Sequence, residues 1–411
     1  MFVNTSVFLI PIWFDSMENL KKNMTLFREW EKCPQEELGT DYLLSYAHLL
    51  TQNEARFVKY RCILTGEESV YKCEDIDEAY AEGAKIKEIS LLAFGTGVAF
   101  ASIQVEYHDL SPVQICNFIY GFKAVGRIAE KYKKGKIDRE DIESFLVKIL
   151  PQFAEPFFYV TAAFKRECLC YTYIKAESSD VPGLNLSELM FRLGRGYSDR
   201  FEQTGNDSSF DLVYQPYEHD RWSGSQEGLA NLVFEPDQRK EDYFINNYKP
   251  LQLAKDYFFM YALLLNQRFA SLKYIEIVAE ATDRDLEKLN KRIIDLKTKY
   301  VFRVIANDMI YQNLYSEIYR ILEIDSLLND LKENEEQMVQ YYNEELERRN
   351  KTTGSLLVVL SCFTVFSTLI DMSDFLGLFQ PIQRIAKWIS LCFVFGVIAV
   401  YVYKNGLWKK R

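Results

Sequence analysis

Apolar and polar positions follow two different rhythms along this chain, and the change of rhythm divides it. Before residue 248, runs with the two-residue period or unbroken apolarity of strands recur at 7–14, 56–64, 85–94, 98–107 and 157–175. Stretches at 18–31, 41–52, 113–133 and 138–150 instead place apolar residues three to four apart, as an amphipathic helix does. Interleaving of this kind predicts an α+β or α/β domain over residues 1–248, with the strand order left open. Phe94-Gly95-Thr96-Gly97-Val98 sits between two apolar runs and reads as a hairpin turn. The third glycine and the following helix of a dinucleotide-binding loop are missing.

After Pro250 the helical rhythm takes over, with no further proline before Pro381. Residues 249–351 are therefore expected to form a long helical stalk. Ile324, Leu331 and Met338 recur at a seven-residue spacing, with Leu328 and Tyr342 on the same face. That pattern suits a helix packed beside copies of itself, and a single core-facing helix gives the same pattern. The rest of the surface is acidic, with Glu323, Asp325, Asp330, Glu333, Glu336, Glu344, Glu345 and Glu347 against Lys332 before Arg348. Repeated around an axis, such a face would concentrate cations.

Residues 352–370 carry no charge, and at about 1.5 Å per residue they cover most of a hydrocarbon core of roughly 30 Å. Residues 388–403 form a second uncharged run, with Trp388, Tyr401, Tyr403 and Trp408 as interfacial aromatics. Two C-terminal transmembrane helices over 352–411 are the expectation. Arg348, Arg349 and Lys351 before the first run, and Lys404, Lys409, Lys410 and Arg411 after the second, put both termini in the cytosol. The implied location is the inner (plasma) membrane, with the lipid bilayer as a partner. The N-terminal VFLIPIWF is too short to span, lacks the basic lead of a signal peptide, and reads as a buried strand. Ser361, Thr364, Thr368 and Asp371 fall on one face of the first run and are the candidate pore lining. Asp371, Met372, Ser373 and Asp374 form its candidate mouth, with Asp371 the candidate cation ligand.

Composition narrows the chemistry. The net charge of −10 and the lack of a basic face argue against a nucleic-acid polymer as partner. His48, His108 and His219 are the chain's three histidines, none in an HExxH setting, and no GxSxG or phosphate-cradling run accompanies them, so no catalytic residues are expected. The eight cysteines show no paired zinc spacing; Cys168-Leu169-Cys170 is too tight and too isolated, which leaves reduced, packed thiols. Between 183 and 237 glycines, arginines and aromatics accumulate: Arg192, Arg195, Arg200, Tyr217, His219, Arg221 and Trp222. Arginine forks pair with phosphate or carboxylate and aromatic rings stack on bases, so these seven are candidates for a small anionic nucleotide ligand. A long surface loop with ordinary ion pairs is the alternative, given Asp199, Glu202, Asp207, Glu218 and Asp220 nearby.

The order of these parts, an α/β domain, a long acidic helix, two apolar runs and the basic tail LWKKR, resembles the CorA-type metal-ion transporters. The likeness is closest from about residue 310, where IYQNLYSEIYRILEIDSLLNDL is similar to the family's helical stalk. It implies a funnel-shaped pentamer with a pore lined by the first span, and Mg²⁺ or another divalent cation at the mouth. The family's Gly-Met-Asn signature is represented by Asp371-Met372-Ser373, which keeps the methionine alone. CorA-like proteins without the signature include membrane effectors of type III CRISPR antiviral defence. That resemblance implies a channel gated by adenylated S-adenosylmethionine on the cytosolic domain. A divalent cation transporter and a non-conducting membrane-anchored interaction protein are the other two readings.

Overall fold

The computed structural model describes residues 2–14, 16–25, 30–38, 43–62, 83–127, 131–133, 136–138, 168–176, 185–202, 212–234, 242–280 and 286–375, and the single positions 388, 392 and 396. Chain contacts divide it into two units, 1–334 and 335–411, described separately below.

The first unit is built on a nine-stranded sheet. Its strands are β1 (Asn4–Trp13), β2 (Trp30–Lys32), β3 (Phe57–Cys62), β4 (Ala84–Phe94), β5 (Val98–Tyr107), β8 (Leu169–Ala176), β9 (Leu212–Tyr217), β10 (Asp220–Ser225) and β11 (Gly228–Phe234). Strands β6 (Lys131–Lys133) and β7 (Lys136–Asp138) pair separately. The order is β2-β3-β4-β5-β1-β8-β11-β10-β9, with β8 and β11 parallel and the other neighbours antiparallel. The N-terminal apolar run is thus β1 near the sheet's centre, buried on both faces, which explains its unbroken apolarity.

Each strand divides its side chains between the two faces. Phe8, Ile10 and Ile12 of β1, Ile103 and Val105 of β5, and Leu232 and Phe234 of β11 belong to one core. It is covered by α1 (Met17–Met24), α3 (Pro112–Arg127) and α4 (Leu186–Arg195); Phe8 stacks on Phe122 of α3 at 3.7 Å. On the other face Phe100 meets Phe269, Phe57 meets Phe259, and Tyr171 meets Tyr261. Those partners lie on α5 (Phe258–Glu280), which the chain enters through two π-helical turns, Phe244–Tyr248 and Leu253–Tyr257. Helix α2 (Ser45–Gln52) lies beside β3. Helices α6 (Leu286–Lys299) and α7 (Met309–Ile321) pack on α5, so residues expected to form a continuous stalk contribute a layer of this fold.

The Phe94–Val98 segment is the β4–β5 hairpin turn. Gly97 has φ +79°, and a Cβ there would lie 2.8 Å from the Phe14 carbonyl. The buried Lys273 ammonium donates to the carbonyls of Phe14 and Gly97 at 3.3 and 2.8 Å, tying α5 to the turn. Residues 138–150, expected as a helix, lie outside the described residues apart from position 138, as does 157–175 before Cys168. Residues 18–31 do not form one helix: α1 ends at Met24, and Trp30 begins β2.

Helix α8 (Ile324–Phe375) begins in the first unit and supplies most of the described second one. Among the described residues, no helix is long and apolar enough to cross a membrane. This corrects the expected fold class: the two C-terminal transmembrane helices, on which the expected funnel-shaped oligomer rested, are not found among the described residues. The uncharged run 352–370 lies within α8, after the turns that carry its acidic residues. The second uncharged run, 388–403, lies outside the described residues except for Trp388, Cys392 and Gly396.

Candidate ligand-binding site

The described residues of the segment rich in arginine and aromatics form a helix and three strands. Helix α4 starts where Asn185 caps it: its side-chain oxygen accepts the Glu188 N–H at 3.4 Å, and its amide donates to the Glu188 carboxylate at 3.3 Å. It stops at Gly196, φ +65°, whose N–H bonds Leu193, while Tyr197 N–H returns to Arg192. Gly194 lets the helix lie close on the sheet, since a side chain there would collide with Ser223; Ser225 donates to the Gly194 carbonyl at 3.0 Å.

Strand β9 is the sheet's edge, and Pro216 within it is tolerated for that reason. Register decides what β9 and β10 present to α4. Arg221 pairs with Leu232 and Ser223 with Val213, so Arg221, Ser223 and Val213 share the face of the α4 core. Trp222 pairs with Asn231 and Tyr214, which turns both rings to the opposite face. There the fully buried Trp222 ring lies 4.8 Å from Tyr257, and Tyr214 shares a hydrogen bond with Asn313 of α7. Burial raises the Tyr214 hydroxyl pKa above that of a free tyrosine, and the bond to Asn313 opposes the rise.

Between α4 and the β9–β10 edge lies a cavity of about 150 Å³. Leu186, Ser187, Met190 and Phe191 of α4 form one wall; Val213, Gln215, Arg221 and Ser223 form the other. Tyr214 and Trp222 border it with their main chain, their rings being turned away. Arg221 is half-buried, with its guanidinium 5.9 Å from the Phe234 ring. Its Nε is shielded from solvent with no acceptor, and among the described residues no carboxylate pairs with the guanidinium. A shielded N–H left without an acceptor costs about 1–3 kcal/mol, against about 1 kcal/mol contributed by an ordinary hydrogen bond. An arriving anion removes that cost.

The other sequence-predicted ligand residues do not converge here. Arg192 donates to the Phe201 carbonyl at 3.0 Å and pairs with Glu188 one turn earlier, so its charge is already matched. Arg195 lies over the rings of Phe191 and Tyr197. Arg200 is exposed beyond α4, Tyr217 is exposed at the end of β9, and His219 lies 3.9 Å from Glu218 in the hairpin turn. Sequence reasoning missed the apolar wall of Leu186, Met190 and Phe191. The Asn185–Glu188 capping pair could have identified the helix that carries it.

The residues expected to line a pore lie on α8. Ser361, Thr364, Thr368 and Asp371 are exposed, and Thr364 and Thr368 donate to the carbonyls of Leu360 and Thr364, one turn back. Such bonds satisfy the hydroxyls within the helix itself. The side chains of Met372, Ser373 and Asp374 lie outside the described residues. Among the described residues, no group of three or more His, Cys, Asp or Glu is placed to hold a metal ion.

Compared with known proteins, the chain matches no family model, no curated protein and no solved structure.

Proposed function

We propose that the sheet-bearing unit is a binding module for a small anionic ligand, seated at Arg221 between α4 and the β9–β10 edge. The observation that carries this reading is the Arg221 guanidinium, buried at Nε and without an acidic partner among the described residues, on the wall of a cavity. Site and helices share the same two strands: the cavity is on one face, and Tyr214 and Trp222 on the other reach α7 and the approach to α5. A ligand that alters the packing of β9 and β10 therefore acts on the helical layer, and it shifts that layer only as far as it prefers one packing over another. This keeps the sensing half of the effector reading. The channel half needs membrane spans, which none of the described helices supplies. A messenger as large as adenylated S-adenosylmethionine would place one end in a cavity of this size, with the rest outside.

The test is thermal unfolding of the full chain against a panel of nucleotides, carboxylates and inorganic phosphate, for wild type and Arg221→Gln. A ligand at about 100 times its Kd stabilises the folded state by about 2.7 kcal/mol. An upward shift of Tm for wild type that Arg221→Gln lacks is the expected result. If no anion in the panel gives an Arg221-dependent shift, the reading fails.

A further inference from the structure

The inference that follows rests on the binding reading above and names the ligand's chemistry. We propose that the buried part of the ligand is one ring-sized apolar group bearing a single carboxylate, with the carboxylate on Arg221 and the ring against Phe191 and Met190.

Size is the first argument. A cavity of about 150 Å³ matches the engineered apolar cavity that accommodates benzene, whereas sites for larger ligands usually run to about 300–1,000 Å³. A base with its ribose and phosphates exceeds it; a single six-membered ring does not.

The walls are the second argument. Met190 and Phe191 are buried, and with Leu186 and the rim residue Val213 they give the cavity an apolar side, beside Ser187, Gln215 and Ser223. An apolar ring gains by leaving water against these walls, while a sugar would exchange part of its hydrogen bonding to water for apolar contact.

Charge is the third. One cation lines the cavity, and one carboxylate neutralises it. A phosphate at neutral pH carries about 1.5–2 negative charges, which a single guanidinium neutralises only in part. The neighbouring arginine, Arg192, is taken by Glu188 and the Phe201 carbonyl. The start of α4 is taken as well, because Asn185 caps it and Glu188 occupies its first turn. The planar guanidinium fork, placed by Phe234, matches the two oxygens of a carboxylate. Ser223, on the same face, offers a hydroxyl beside it.

Ligand-observed NMR on the full chain tests this with four probes: benzoate, its neutral isostere benzamide, AMP and inorganic phosphate. Proton spectra follow the organic probes and phosphorus spectra follow phosphate. Benzoate is expected to bind saturably and at least about tenfold more tightly than benzamide, the charge-assisted pair being the difference. Arg221→Gln should abolish the preference, and Arg221→Lys should retain part of it through charge without the fork. Val213→Trp, at a position 83 % exposed on the cavity rim, should block entry without disturbing the core. It serves as the second variant if Arg221→Gln unfolds. Benzoate no tighter than benzamide, with AMP or phosphate bound in an Arg221-dependent way, overturns the carboxylate assignment and leaves the binding site standing. Four probes that all bind independently of Arg221 and Val213, or not at all, overturn both.

Discussion

The rings of Tyr257 and Tyr311 lie 4.3 Å apart and within 5° of parallel, joining the approach to α5 to the first turn of α7. Tyr257 also meets Trp222 of β10 at 4.8 Å, with the ring planes 47° apart, so three rings run from the edge of the sheet into the helical layer. All three are buried. Tyr257→Ala removes the ring that touches both others and leaves a void beside them. The expected loss is about 3–5 kcal/mol, as for other buried aromatics cut to alanine. Urea unfolding measures it, and a loss below about 1 kcal/mol would show that the stack contributes no more than a surface contact.

Beside that stack, Lys249 donates to the Asp220 carboxylate at 2.5 Å, and both side chains are buried. Asn231 donates to the other Asp220 oxygen at 2.6 Å, and the Lys249 ammonium sits 5.0 Å from the Tyr257 ring. Lys249→Met strands the carboxylate and should cost about 3–5 kcal/mol. Adding Asp220→Asn removes the stranded charge, so the double variant should be more stable than Lys249→Met alone. Two losses that simply add would show that the charges are not coupled.

Glu54 accepts hydrogen bonds from Lys21 and Lys32, which hold its carboxyl pKa down from 4.5 to about 2. The folded chain therefore binds this proton less readily than the unfolded chain. Its stabilising contribution is complete above about pH 4.5 and is lost as the pH falls toward about 2. All three side chains are substantially exposed, so the effect is modest and screened by salt. Stability measured from pH 6 to 2 should fall less steeply for Glu54→Gln than for wild type at low ionic strength. Identical profiles would remove Glu54 from the account of acid sensitivity.

Elements were legible where local pattern alone determines them. The runs around β1, β3, β4 and β5 fall within a few residues of the observed strands, because side-chain alternation or continuous burial is written in adjacent positions. The turn at Gly95–Gly97 was legible for the same reason. The candidate site was legible in composition and not in membership. Arg192 and Arg221 look alike in a sequence; Arg192 has Glu188 one helical turn away, and Arg221 has no acidic partner among the described residues.

By itself, the sequence determined the alternation of strands and helices before residue 248, the helical character after Pro250, and the presence of cation and aromatic groups in one segment. Tertiary structure decided the rest. Strand order depends on contacts such as Ser6 with Thr172, whose residues are far apart in the chain and share no local signal. That order puts β9 and β10 at an edge, and their register with β11 sends Arg221 toward α4 and Trp222 toward Tyr257. A one-residue slip would exchange the two. Helical periodicity after Pro250 records which faces are apolar but not what covers them. Packing of α5 to α7 in the layer beside the sheet is a property of the whole fold, and so is the cavity that Arg221 lines.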